Sequence, residues 1–367
     1  MYSSGMDRRK SASIKGRGAL SQPPGRFERH TTTAADDGWW QEPVSDSIAT
    51  SVRPDQALTV ITYNQSPDLP FDRSINPYRG CEHGCIYCYA RPTHAWLGLS
   101  PGLDFETRLF AKHDAAQILA RELAKPSYRC QPILLGANTD PYQPVDKRLG
   151  LTRQVLEVLL RWRHPVVIVT KGALVLRDLD LLTELAQRRL TRVLITIPTL
   201  DNDLKRVLEP RAAGPRARLN MMATLAAAGV PVGVMVAPVI PALTDGDLEA
   251  VLSAASEAGA GYAGYTLLRL PYEVKDLLRE WLATHFPQRA AHVMSLIRAM
   301  RGGRDNDPGF TSRMRGQGPF ADLIRSRFRL ACTRLGLTSE RDFAALDTQQ
   351  FAAVSAKPVS GQLDLFG

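Results

Sequence analysis

From about residue 130 the chain alternates short β-branched runs with stretches of helical period, at nearly constant intervals. The runs span 132–137, 165–170, 192–198, 230–236 and 262–268, and their starts lie 33, 27, 38 and 32 residues apart. That spacing is the spacing of βα units, and apolar runs of this kind predict parallel strands buried on both faces. The intervening stretches carry apolar residues at helical positions, for example Val155, Leu156, Leu159 and Leu160, or Leu179, Leu182, Leu185 and Leu190. An extended segment over 73–79 adds a sixth strand. The prediction is an α/β fold, a partial (β/α)6 barrel of TIM type. Functional residues of such a barrel collect at the C-terminal ends of its strands. Asn138-Thr139-Asp140-Pro141, Thr170-Lys171-Gly172, Thr196 to Asp201 and Pro238 to Pro241 hold those places here.

The rest of the chain reads differently. Residues 1–58 are rich in Ser, Gly, Pro, Thr and charge and predict a disordered or loosely docked arm, with Trp39 and Trp40 as its exception. The barrel domain is expected over 59–275 and a basic helical extension over 276–350, with helices at 274–286, 289–300 and 321–336. A flexible tail follows at 351–367. With 44% hydrophobic and 23% charged residues, a sizeable core is available and wholesale disorder is excluded. The longest nearly unbroken apolar run, 230–243, is 14 residues and holds three prolines. It falls short of the ~20 residues that span a bilayer, so no membrane partner is expected. The chain opens on a polar, basic stretch unlike a secretory signal, which points to the cytoplasm.

Five cysteines are present, and Cys81, Cys85 and Cys88 fall within eight residues. In a reducing compartment such clustering argues for metal ligation over a disulfide scaffold. Three thiolates on one short loop can hold three irons of a cubane cluster and leave the remaining iron open to a small molecule. The competing reading is a zinc site completed by His83 or His94, although zinc commonly takes its remaining ligand from a second paired motif, and none lies nearby. Cys332, in a helical stretch, reads as a small buried apolar residue.

The run Gly80-Cys81-Glu82-His83-Gly84-Cys85-Ile86-Tyr87-Cys88-Tyr89 has three- and two-residue gaps between cysteines and an aromatic residue, Tyr87, before the third. It follows a first strand and precedes further βα units. In this it resembles the radical SAM superfamily, over about residues 70 to 275. The resemblance implies a [4Fe-4S] cluster whose open iron binds S-adenosyl-L-methionine, a 5′-deoxyadenosyl radical formed by reductive cleavage, and a reductase or flavodoxin-type electron donor. Within the superfamily, the context around the cysteines and the later Thr170-Lys171-Gly172 resemble the spore photoproduct lyase-like group. That resemblance maps cofactor contacts onto Tyr87, Thr139, Asp140, Lys171 and Thr196. Lys171 would pair with the cofactor's carboxylate. Tyr89 would relay a hydrogen atom or pack under the cluster loop. The group's lyase keeps a hydrogen-donating cysteine where this chain has Ala137 or Asn138, and Cys130 precedes its strand, so the chain departs from the pattern of strict dimer-lyase chemistry.

Two features point to nucleic acid. Lysines and arginines number 46 against 37 acids, a net +9, and residues 301–334 hold eight arginines and three acids, interleaved with Phe310, Phe320 and Phe328. Such a surface can meet phosphates and stack bases, or be a helix with a solvated basic face and its phenylalanines in the core. Gln362-Leu363-Asp364-Leu365-Phe366, next to the terminus, resembles the motif by which bacterial polymerases and repair proteins bind the DNA polymerase sliding clamp. Leu363, Leu365 and Phe366 can fill apolar pockets while Gln362 fixes register. The leading expectation is a radical enzyme of DNA repair or modification recruited by the clamp. An RNA- or protein-modifying radical enzyme and a non-catalytic zinc adaptor stand beside it.

Overall fold

A computed structural model describes residues 14–28, 48–310, 312–338 and 346–352. Ten strands occur among them. They are β1 (Ser51–Pro54), β2 (Ile61–Tyr63), β3 (Arg73–Ile75), β4 (Tyr78–Arg79), β5 (Arg108–Ala111), β6 (Ile133–Leu135), β7 (Val166–Thr170), β8 (Thr191–Thr196), β9 (Val232–Val239) and β10 (Tyr262–Leu267). Six of them, β3, β6, β7, β8, β9 and β10, lie side by side in that order and pair in parallel. This is the partial (β/α)6 barrel expected from the period. Its sheet ends on β10 at one edge and on β2, antiparallel to β3, at the other.

Alternation along the strands separates a packed outside from a hollow inside. Ile133, Leu135, Val166, Ile168, Val193, Ile195, Val232 and Val234 face the helices and are buried in the main core. The inward positions include small residues, Gly233 and Ala237, and the barrel encloses a cavity of about 440 Å³. A Cβ at Gly233 would come within 2.9 Å of Leu194 and Tyr262, so the backbones approach closely there.

The segment over 73–79 is split. Arg73–Ile75 joins the barrel, whereas Tyr78–Arg79 pairs with β5 in a second sheet of order β1-β5-β4. Pro77 separates the two pieces, since it cannot donate to a ladder. This small sheet was invisible to periodicity because its strands are two to four residues long.

Part of the N-terminal arm is seated on the body. Ala19 and Leu20 are buried, and Ser51–Pro54 is a strand of the small sheet. Beyond the barrel, three helices appear close to where the pattern placed them, at Val274–His285, Pro287–Ala299 and Pro319–Leu335. Phe328 packs on Tyr265 with ring centroids 4.7 Å apart, and Phe320 packs against the same core, so of the three phenylalanines read as a stacking surface only Phe310 is exposed. Residues 346–352 lie across the N-terminal end of the barrel strands. Leu346 enters beside Leu134 and Val167, and Phe351 stacks on Trp162 at 5.9 Å. Among the described residues no helix is long and apolar enough to cross a membrane.

Candidate active site at the mouth of the barrel

The cysteine loop leaves β4 through Gly80 and turns again at Gly84, both with positive φ. At Gly84 a side chain is also excluded by space, because a Cβ would lie 2.6 Å from Glu106 Oε2. The loop has almost no regular secondary structure, so its backbone is held by buried side chains. Arg91, fully buried, donates to the carbonyls of Cys85 at 2.9 Å, Gly84 at 3.2 Å and Gly102 at 2.9 Å, and pairs with the equally buried Glu106. Glu106 in turn accepts from the backbone N–H of Gly18 at 3.0 Å and Ala19 at 2.9 Å, which ties the arm to the loop. Gln143 receives the N–H of Glu82 at 2.9 Å and donates to Gly80 O at 3.2 Å.

So held, the loop brings Cys81, Cys85 and Cys88 to the wall of the cavity, which they share with Lys171, Thr196 and Tyr89. All three thiols are free; Cys81 and Cys85 are buried and Cys88 is half-buried. Burial, then the charge of Glu209, pushes the Cys85 thiol up to about 12, and burial raises Cys81 and Cys88 as well. Without a metal to stabilise thiolates the site keeps them protonated, and loading a metal would release protons.

The other expected residues divide. Lys171, just after β7, is 3.9 Å from Glu209 Oε1 and 5.9 Å from the Tyr87 ring centroid. Tyr87 donates its hydroxyl to Glu209, and its pKa is raised by burial and by Cys85 and Glu209. Thr196 ends β8 on the cavity wall, and its carbonyl accepts from Arg218 at 2.7 Å. Asp140 lines the cavity too, yet its oxygens are taken by Thr170 Oγ1 at 2.7 Å, Lys171 N at 2.7 Å and Tyr142 N at 2.9 Å. It clasps the β6 and β7 loops together. Burial alone would raise its pKa, but His83, Thr170 and the Lys171 N–H outweigh that and hold it at about 2. Thr139 stands apart: it is buried, its hydroxyl donates to Tyr78 O at 2.9 Å, and it is not on the cavity wall. Tyr89 is 45% exposed and donates its hydroxyl to Ala137 O, so it sits at the rim and not beneath the loop.

Both histidines weighed as zinc ligands have other places. His94 is fully buried, bonded through Nε2 to Arg108 O at 3.0 Å and packed edge-on to Phe105. His83 reaches the cavity, with Nδ1 3.3 Å from Asp140 Oδ2 in a direction that makes no hydrogen bond. Among the described residues, no three His, Cys, Asp or Glu side chains are grouped so as to hold one metal ion. Cys130 precedes β6 and lies off the cavity wall, and the motif at 362–366 and Trp39 and Trp40 lie outside the described residues.

Sequence reasoning missed Glu209 and Arg218, a fully buried pair behind Tyr87 and Lys171. Burial would raise the pKa of Glu209, but Arg218 and Lys171 hold it below the usual carboxylate range. The only sequence signal was indirect: Glu209-Pro210-Arg211 interrupts the helical period with two charges around a proline. Arg91 and Glu106 carried no signal.

Comparison with known proteins agrees with this geometry. The model of the Radical SAM superfamily matches residues 75–255. The chain is 36% identical over 283 residues to the uncharacterized protein Rv2578c of Mycobacterium tuberculosis, covering 77% of this chain and 82% of that one. It is 29% identical over 171 residues to the uncharacterized protein MJ0683 of Methanocaldococcus jannaschii, 47% of this chain and 61% of that one. Spore photoproduct lyase complexed with dinucleoside spore photoproduct is similar in fold, with a TM-score of 0.57 at 16% identity over 78% of this chain and 80% of that one. With a barrel that carries its cysteines on the loop after the first parallel strand, and with a relative matched over most of both lengths, the chain belongs to the radical SAM superfamily and is an enzyme of radical-based catalysis.

Proposed function

We propose that this enzyme acts on nucleic acid, DNA foremost, at the mouth of the barrel, and that the terminal motif recruits it to the DNA polymerase sliding clamp. The observation that carries the site of the chemistry is the meeting of three free thiols, Lys171 and Thr196 on the wall of one hollow barrel; the basic extension and the motif at 362–366 carry the substrate and the partner. The donor set fits the family's cofactors: soft thiolates suit an iron–sulfur cluster, and three of them leave one iron without a protein ligand. Cys81, Cys85 and Cys88 would hold the [4Fe-4S] cluster, and the wall formed by Tyr87, Lys171 and Thr196 would hold S-adenosylmethionine. When bound, this pair supplies a 5′-deoxyadenosyl radical that abstracts hydrogen from the substrate.

The chain's own contribution is placement. Glu209 and Arg218 fix the hydroxyl of Tyr87, and Glu209 draws Lys171 to the wall. Asp140 locks the backbone N–H of Lys171 from the other side. The largely apolar interior keeps water from a reactive centre. Basic residues of the extension favour a polyanion, although Arg313 and Arg327 are already paired with Asp68 and Glu249. The last described residues before the terminal motif, Phe351 and Ala352, lie beside Trp162 at the opposite end of the barrel, a placement that supports clamp and substrate being held together.

Anaerobically prepared protein is expected to be brown, to contain iron and sulfide, and to cleave S-adenosylmethionine reductively, faster with DNA than with RNA. Cys85→Ala should lose cluster and cleavage together; cleavage that survives would place the site elsewhere. Stimulation by RNA alone, or by neither polymer, would overturn the DNA assignment. Removing residues 362–366 should end co-elution with the clamp and leave cleavage intact, and unchanged co-elution would refute the recruiting role.

A further inference from the structure

Arg269 lies just beyond β10, on the rim of the cavity. Two arginines whose charges act on it are provided for. Arg313 pairs through Nε and Nη2 with both oxygens of Asp68, each at 2.6 Å. Arg301 is buried and donates to Ser312 O at 2.8 Å and Leu268 O at 2.7 Å. Arg269 has neither arrangement. Among the described residues no carboxylate lies within ion-pairing distance of it, its Nε is buried with no hydrogen-bond partner, and Nη1 meets only the sulfur of Met314 at 3.8 Å. Burial, and next the charge of Arg313, push its pKa below the ordinary value.

The Asp68 carboxylate, doubly bonded to Arg313, acts on Arg269 only from a distance. A guanidinium drawn out of water with no counter-ion in contact is costly, and its five N–H groups form a planar fork suited to a bidentate oxyanion. The surroundings narrow the choice of anion. The Arg269 guanidinium carbon is 5.4 Å from the ring centroid of Tyr89, which is 45% exposed, and Phe310, 49% exposed, lies 4.7 Å from Arg313. The exposed ring of Tyr89 beside Arg269 at the lip of an apolar hollow, with Phe310 on the neighbouring Arg313, offers a stacking surface next to a cation, the pairing that single-stranded nucleic acid uses. A carboxylate ligand would make no use of the rings or the hollow.

We propose that Arg269 holds a phosphodiester of the substrate strand, so that the adjoining nucleotide enters the cavity towards Lys171 and Thr196 past Tyr89. Reaching a base there requires an unpaired or extruded nucleotide. This rests on the nucleic-acid reading above and goes further, naming the charged group that is recognised and the residue that recognises it.

The test is fluorescence anisotropy of full-length, anaerobically prepared protein with a short labelled thymidylate oligomer, its uridylate counterpart, and a thymidylate oligomer carrying one neutral methylphosphonate linkage walked along the strand. Arg269→Gln should weaken binding of the charged oligomers by about tenfold. It should also flatten the dependence of log Kd on log salt by about 0.7, the share of one phosphate contact on a single strand. One methylphosphonate position should cost the wild type a similar factor and cost Arg269→Gln nothing. Arg269→Lys should keep the salt slope. Arg269→Met should melt at the same temperature or higher, because an unpaired half-buried cation has been replaced by an apolar chain. Tight binding by Arg269→Gln with an undiminished salt slope overturns the inference, as does a lower melting temperature for Arg269→Met, which would make Arg269 a structural residue. Failure of the wild type to bind either polymer would instead remove the nucleic-acid reading, and this inference with it; a preference for thymidylate or uridylate decides between DNA and RNA.

Discussion

At the N-terminal end of the barrel strands, Leu346 sits among Leu134 and Val167 while Phe351 rests against Trp162, Tyr128 and His164 with ring centroids 5.5–5.9 Å apart. At the C-terminal end the corresponding work is done by buried ions: Arg91 with Glu106, Arg218 with Glu209, and Asp140 with the loops of β6 and β7. The two ends face different tasks. The first has only to be closed, and non-directional apolar packing closes it. The second must hold thiols, a lysine and a threonine at set positions on loops that lack ladder hydrogen bonds of their own, and directional charged hydrogen bonds do that at the cost of desolvation.

Three substitutions test whether the ends are as different as this. The largest effect is expected at Arg91. Arg91→Ala strands the buried Glu106 carboxylate and frees four carbonyls, two of them in the cysteine loop, and should cost about 3–5 kcal/mol in urea unfolding along with most of the bound iron. A loss below about 1 kcal/mol would mean that the ion pair adds little to the loop. Asp140→Asn comes next, at about 2 kcal/mol near neutral pH. Because the folded pKa of Asp140 is depressed from 3.8 to about 2, its stabilisation is present above pH 4 and lost as pH falls towards 2, so wild type and variant should converge there. Smallest is Phe351→Ala, about 1–2 kcal/mol for a partly buried ring, with iron content unchanged. Iron loss in that variant would show that the ends are coupled.

Acid should also distinguish the ends by order. His164 is buried, and burial lowers its pKa from 6.5 to about 3. A neutral folded histidine stabilises fully above the unfolded value, and that contribution is lost as pH falls from 6.5 towards 3. The apolar end should therefore loosen first on acidification, and the Asp140 clasp only below about pH 4. Peptide-resolved hydrogen exchange, corrected for intrinsic rates, would reverse this account if the loops around Asp140 opened at the higher pH.

Legibility in the sequence followed the range of the interactions. The barrel strands and the helices at Val274–His285 and Pro319–Leu335 were readable because burial imposes a local period on residues a few positions apart. The cysteine loop was readable because its three cysteines are crowded into eight residues. Residue type alone could not separate Thr139, turned away to Tyr78, from Asp140, turned to the cavity, because adjacent loop residues obey no period. Nor could it divide Phe310 from Phe320 and Phe328, since the last two sit on the helix face that meets the barrel while Phe310 lies in a turn outside any helix.

Period and spacing in the chain itself determined that this would be a parallel barrel with a three-thiol loop at its mouth, since both arise from neighbours along the backbone. The pairings that make the mouth a site, Glu106 with residues some 87 and 88 positions away in the arm, Tyr87 with Glu209 across 122 and Arg313 with Asp68 across 245, were decided only by folding. A buried charge is tolerable only beside a partner, and the position of that partner along the chain has no bearing on the cost.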